Sequence, residues 1–485
     1  MIATTQVRIS QLRLASHYVE LVCRCNVDYL SGFERSLKAI QVFDRERLQI
    51  ENTVSWLMHL AEDDEVGALL VTLLRDGYQL LYARIEGDEL RTWLKPGLNV
   101  ARRLGDVRSQ AVLLLVLAYS LRLTSSPDPS EPYLDQAYAL AQQTGDELLL
   151  VRCLQAFVKL YRQDQKYDAA ARCNQQAYEL SCRLGYITGM YEYYQHRGEE
   201  LYSAGQLEAA LAALNEAYAL ALKAGLYREI ALILTKTGMI YHLQERFAEA
   251  LVVLEQAREF AQCTEFPPVM IFTLYALGDV QAAVKDVSAA QETFLTGLRL
   301  AEHHHFDEEA GALSGELGVL AFQQHDLRRA QEILESAVDQ LRALESTFYY
   351  PTFLTYLIPV RLGLGDVEGA ECALREGLDF LAGATGAQES LALVWAAAQL
   401  GIHHAGQPGL PPEQQASWAA RAARWTGAAL TLPSMMPDRC AVLRHLIPDL
   451  HARLGVEHTA ELLTAGAQLA PDSLIAELGA AFFGQ

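Results

Sequence analysis

Three places in the sequence gather residue types that could do chemistry. His303-His304-His305 precedes Asp307, Glu308 and Glu309. His304 and Glu308 stand four apart, a spacing that puts an imidazole and a carboxylate on one helix face where they could share a metal ion. His403-His404 offers a second imidazole pair, and Cys23-Arg24-Cys25 is the only close pair among eight cysteines. Neither histidine cluster brings a convergent ligand set, and cysteines two apart on a helix point to different sides, so the expectation is no metal and no cofactor. No nucleophile elbow, His-Glu-x-x-His motif or Cys-His pair with a third member occurs, and the phosphate-cradling Gly-x-x-x-x-Gly-Lys-Ser/Thr loop is missing as well. Acidic pairs such as Asp63-Asp64 sit where a helix should start, and there they stabilise its dipole. With no acid, base or nucleophile set to assemble, the chain reads as non-enzymatic.

Composition narrows the partners. The chain has 485 residues, 51% of them hydrophobic, enough to bury a large core. A formal net charge of −21 repels phosphate backbones, which argues against direct nucleic-acid binding. The longest apolar stretch, Ala111 to Tyr119, is far short of the roughly 20 residues that span a bilayer. The N-terminus has no basic region followed by an apolar run, and the cysteines are scattered rather than arrayed. A soluble cytoplasmic protein with no membrane partner is expected.

The elements that would position any site are repeats. Gly105, Gly145, Gly185 and Gly225 fall 40 residues apart, each where a helix should end in a left-handed cap, and Glu265, His305 and Glu345 continue the register without glycine. Ala170, Ala210, Ala250, Ala290, Ala330 and Ala370 keep the same interval. Seven residues on come Ala137, Ala177, Ala217, Ala257, Gly297, Ala337 and Gly377, and between them a large residue: Leu214, Leu254, Phe294, Leu334 or Leu374. Gly198, Gly238, Gly278 and Gly318 form a fourth series. Small residues on shared faces let helices approach closely, and the large one fills the interior. Each period is therefore a hairpin of an A and a B helix that must stack on its copies. The A helices should begin near Ser109, Glu147, Gly189, Glu229, Val269, Glu309 and Pro351, with a later one near Gln388. Tyr138, Tyr178 and Tyr218 share the period and belong to packing. Before the repeats, helices are expected over Arg8–Arg24, Asp44–Leu60 and Glu65–Ala83, and from Glu86-Gly87-Asp88 through Trp93 to Leu104, with Pro96 in its first turns or bending it. After a breaker-rich insertion at Gln407–Pro412, four helices follow, over Gln415–Leu430, Asp438–Arg453, Glu457–Leu469 and from Ser473.

This pattern resembles the tetratricopeptide repeat, stretched from the usual 34 residues to 40. Two further segments resemble the sensor region of bacterial signal-transduction ATPases of the STAND class, whose relatives include maltose-activator and LuxR-like regulators. One is Asp44 to Leu57, with Glu51-Asn52 and Trp56-Leu57; the other is Arg421 to Leu430, followed by Leu454-Gly455 and Ala465-Gly466. The likeness implies the sensor part without the ATPase and DNA-binding parts. It also implies a right-handed all-α superhelix whose A helices line a concave groove. Mapped onto that groove are Arg152, Gln155, Lys159 and Arg162, then Glu192, Gln195, Glu199 and Tyr202. Leu232, Thr235, Met239 and His242 follow, and then Phe272, Tyr275, Asp279 and Ala282.

The expected organisation is a helical cap or linker over residues 1–104, a repeat solenoid over 105–402 and a C-terminal cap over 403–485. The expected function is a scaffold or sensor that holds a protein or peptide segment in the groove, within a bacterial signalling or regulatory complex that could include a separately encoded ATPase or effector. A small-molecule sensor using the Phe272 and Tyr275 aromatics, with a sugar-like ligand, is the alternative.

Overall fold

The structure is a computed structural model that describes residues 2–31, 33–123, 129–164, 166–264, 266–347, 349–383, 393–431 and 437–483. Every regular element among them is a helix. The N-terminal region holds α1 (Ile2–Tyr29), α2 (Phe33–His59), α3 (Asp64–Asp76), α4 (Tyr78–Arg84) and α5 (Gly87–Arg103). A and B helices then alternate: α6 (Val107–Leu123) and α7 (Glu131–Thr144), α8 (Glu147–Gln163) and α9 (Tyr167–Leu184), α10 (Ile187–Ser203) and α11 (Leu207–Ala224). Next come α12 (Tyr227–Leu243) and α13 (Phe247–Thr264), α14 (Pro267–Ala283) and α15 (Val287–His303), α16 (Asp307–Gln323) and α17 (Leu327–Ala343), α18 (Tyr349–Gly363) and α19 (Val367–Gly383). The chain closes with α20 (Leu393–Ala405), α21 (Pro412–Leu430), α22 (Pro437–Leu454), α23 (Val456–Gly466) and α24 (Pro471–Phe483). The A helices thus begin at or within two residues of the positions the spacing gives; the expected start at Gln388 lies outside the described residues.

Three N-terminal expectations are corrected. The single helix expected over Glu65–Ala83 is two, α3 and α4, divided at Gly77. The helix expected to start at Asp44 starts at Phe33, because Ala39 and Phe43 already lie on the stripe that Ile50, Val54 and Leu57 continue into the core. Pro96 lies in the body of α5, well past its first turns, and the helix continues through it. Asp63 caps α3 as its position suggests, accepting from the backbone N–H groups of Glu65 and Val66.

The chain divides into two compact units. One comprises Met1–Glu199, Ala212–Ile230 and Cys263–Glu265; the other comprises Glu200–Leu211, Ala231–Gln262 and Phe266–Gln485. In the first, a single core runs from Ala15 on α1 through Leu74, Trp93 and Leu113 to Phe157 on α8, so the N-terminal helices and the first repeats are packed as one body. In the second, a core reaches from Ala312 on α16 through Leu374 and Trp395 to Leu478 on α24.

The small-residue series act at the crossings. A Cβ added to Gly238 would lie 2.5 Å from the Leu254 side chain, one on Gly278 2.3 Å from the Phe294 ring, and one on Gly318 2.8 Å from Leu334. Each A-helix glycine is thus the socket for the large residue of its own B helix, which is buried to 1% exposure or less. Gly278→Ala is therefore expected to cost about 1–3 kcal/mol in chemical denaturation. In the Phe294→Leu background, which copies the neighbouring hairpins, the cost of the same change should shrink.

Left-handed caps persist where glycine is lost. His305 and Glu345 hold φ of 58° and 54°, beside 66° at Gly145 and 65° at Gly185. A second series ends the A helices: Gly205, Glu245, Lys285, His325 and Gly365 all have positive φ, 40 residues apart. A side chain in this conformation is strained by its Cβ. His325→Gly should stabilise the protein by about 0.5–1 kcal/mol in a urea melt, the strain relief exceeding the added freedom of the unfolded chain.

Candidate functional site

In the first unit, α8 and α10 present the residues that the groove register selects. Arg152, Gln155, Lys159 and Arg162 recur at three- and four-residue steps along α8, and Glu192, Gln195 and Glu199 do the same along α10, so each set forms one face. The two faces are joined by ion pairs. Lys159 Nζ lies 3.8 Å from Glu192 Oε1 and Arg162 Nη2 3.0 Å from Glu199 Oε2. Arg162 Nη1 also donates to the backbone carbonyl of His196 at 3.1 Å. Along α10, Tyr191 donates to Gln195, whose Nε2 donates to Glu199 Oε1 at 3.3 Å. Two of the three cations in the basic stretch are thus paired with the two carboxylates of the acidic one, as rungs of a ladder between the helices.

Three polar atoms in this ladder have no partner. Gln155 is 6% exposed and His196 8%, yet Gln155 Nε2 and His196 Nε2 make no hydrogen bond, nor does Glu192 Oε2. A buried polar group left unsatisfied costs about 1–3 kcal/mol. Beside them, Arg152 carries its guanidinium carbon 5.6 Å from the centre of the Tyr78 ring, and the Tyr119 hydroxyl donates to the Arg152 carbonyl at 3.3 Å. Burial pushes the Tyr78 phenol up to about 12 against the opposing pull of Arg152, and burial holds Tyr119 well above its ordinary value. Both phenols therefore stay neutral donors. Tyr78, Tyr119 and His196 lie outside the groove register, Tyr78 because it comes from α4, ahead of the repeats.

In the second unit the register is less selective. Thr235 is fully buried, its hydroxyl 2.9 Å from that of Thr273, and each threonine also bonds a carbonyl one turn back. Met239 packs on the core formed by Leu254 and Leu277, and His242 is 6% exposed with its ring 5.8 Å from Phe247. Thr235 and His242 are buried and Met239 is half-buried, and all three contribute to packing. Leu232 likewise packs against the core of Ala231, Ala261 and Val269, and Ala282 against that of Phe294 and Leu313. Phe272 and Tyr202 are half-buried. Tyr275 donates to Glu316 Oε1 at 2.7 Å and stands 5.9 Å from the Tyr349 ring. Burial, then the Glu316 and Asp279 carboxylates, hold the Tyr275 phenol well above its ordinary value. Glu316, a buried carboxylate in mid-helix, was not singled out by the register.

Among the described residues no three His, Cys, Asp or Glu side chains converge as a metal site. His303 and His304 stack edge to face, and burial raises the Cys23 thiol to about 11. No described helix is long and apolar enough to cross a membrane.

No protein family and no curated protein matches this sequence. Solved structures do. A Rap protein complexed with competence and sporulation factor matches at 14% identity and a TM-score of 0.51, over 80% of this chain and 99% of that one. The apo form of the quorum sensor NprR from B. thuringiensis matches at 14% identity and 0.53, over 72% and 97%. The chain is a tetratricopeptide-like helical protein. A STAND protein with a tetratricopeptide repeat sensor from Pyrococcus horikoshii also matches, at 12% identity and 0.47, over 66% of this chain and 50% of that one.

Proposed function

We propose that this chain is a non-catalytic tetratricopeptide-like sensor that takes an extended peptide segment across α8 and α10 of its first unit. The observation carrying this reading is a donor and an acceptor with nothing to bond, Gln155 Nε2 and Glu192 Oε2, set between helices that two ion pairs join. A peptide group offers one carbonyl and one N–H, which are the partners these two atoms lack. The ion pairs hold the two helices in place before a ligand arrives, which lowers the ordering cost of binding. The shared fold of a Rap protein solved with competence and sporulation factor and of a quorum sensor supports recognition of a signal over catalysis. In a bacterial cytoplasm such a sensor would pass its occupied state to a separately encoded effector or ATPase. STAND kinship rests on the two sequence segments alone.

Hydrogen exchange tests the placement. With a peptide pool from native cell extract added and the bound species identified by mass spectrometry, the amides of α8 near Arg152 and of α10 near Gln195 should become protected. Amides near Arg8 and Asp438 should not change. Protection confined to the B helices around Ala210 and Ala250, or to the C-terminal helices, would overturn the reading. A sugar-like ligand protecting only the segment around Tyr275 would replace it with the small-molecule alternative.

A further inference from the structure

A cleft in the first unit shares no residue with the ladder. It lies among α5, α6 and α7, has a volume of about 540 Å³, and is lined by Lys95, Asn99 and Arg102 from α5 and by Tyr133 and Gln136 from α7. Leu98 and Leu117, 5% and 2% exposed, form its apolar floor. The volume suits a small molecule, since such sites span about 300–1,000 Å³.

The polar lining is one-sided. Lys95, Asn99 and Arg102 stand at i, i+4 and i+7 and so share a face of α5. Neither cation has an ion-pair partner among the described residues. Their neighbours do: Arg91 pairs with Asp88, and Arg103 with Glu62 and Asp64. Among the described residues that line the cleft none is acidic, in a chain with 60 acidic and 39 basic residues. Lysine and arginine are donors only, while asparagine, glutamine and tyrosine each add a donor. The cleft therefore offers many donors and two positive charges with no counter-charge among the described residues, over an apolar floor.

We propose that this cleft binds a phosphorylated small molecule, with the phosphate held by Lys95 and Arg102 and an apolar or aromatic portion resting on Leu98, Leu117 and Tyr133. Two cations on flexible stems about 10 Å apart along the helix can converge on one dianion, and three phosphate oxygens take up the surplus donors. A carboxylate would satisfy fewer of them.

Calorimetric titration with three probes tests this. Phenyl phosphate should bind saturably and more tightly than inorganic phosphate, and neutral phenyl glucoside should not bind. The Lys95→Ala/Arg102→Ala double variant should weaken phenyl phosphate by about tenfold or more. Both side chains are exposed, so its melting temperature should match that of the parent. Leu117→Asp would disturb the core, so Tyr133→Ala serves as the floor variant. It should narrow the gap between phenyl phosphate and inorganic phosphate. Unchanged affinity in the double variant, binding of phenyl glucoside equal to that of phenyl phosphate, or no saturation below about 10 mM would overturn the proposal.

Discussion

Gly466→Ala is expected to unseat the C-terminal helices. A Cβ at Gly466 would lie 1.9 Å from the backbone carbonyl oxygen of Arg424, and one at Gly427 would lie 2.0 Å from that of Leu463. Helices α21 and α23 thus cross backbone to backbone, and no flexible side chain is there to move aside. The helices must separate, which uncovers Trp425, at 0% exposure, and the buried Ala428 and Ala429 beside it. Overpacking costs about 1–3 kcal/mol where side chains can adjust, and a rigid backbone collision belongs at or above the top of that range, about 3–5 kcal/mol. Tryptophan emission should shift to the red, and amide exchange should accelerate from α21 to α23 while α8 stays protected. Gly479→Ala supplies the contrast. It lies within α24, where an added Cβ meets nothing within 4 Å, so helix propensity alone should make it neutral or stabilising by up to about 1 kcal/mol. The same outcome for both substitutions would refute the crossing.

That crossing also explains why the closing segment reads as a motif. The Gly-Ala-Ala of Gly427 to Ala429 and the Ala-Gly of Ala465-Gly466 are the two halves of one close approach, a packing requirement that any sensor of this build could share. Periodicity made the fold legible because every hairpin solves one geometric problem with the same small-and-large pair, Gly238 with Leu254 and Gly318 with Leu334. The left-handed conformation shared by the A-helix caps is not legible, for the opposite reason. Their left-handed residues are Glu245, Lys285 and His325 as often as glycine, so the conformation recurs without a recurring letter. The site was legible as a face but not as a surface. Counting positions finds the residues on one side of a helix, and only the neighbouring helix decides whether Thr235 and His242 are covered or whether Lys159 meets Glu192. Partners brought from another element, as Tyr78 is to Arg152, leave no spacing to count.

Gln155→Leu is expected to make the free protein more stable and the sensor deaf. Leucine nearly matches glutamine in volume and removes the unpaired Nε2 of a residue that is only 6% exposed, so the unbound chain should gain about 1–3 kcal/mol. A ligand carbonyl that bonds this amide loses its partner in the variant, and affinity should fall about tenfold or more. The two effects have opposite signs, which separates a recognition role from a structural one: a structural amide would lower stability when removed. A charge exchange isolates the ladder from the ligand. Lys159→Glu with Glu192→Lys keeps a rung of opposite charges between α8 and α10 but moves the unpaired carboxylate oxygen from α10 to α8, the helix that also carries Gln155. Stability should recover relative to either single substitution, by about 0.5–1 kcal/mol for a half-exposed pair, while binding should not recover. Recovery of both would show that the ladder, and not the orphaned donor and acceptor, is what the ligand needs.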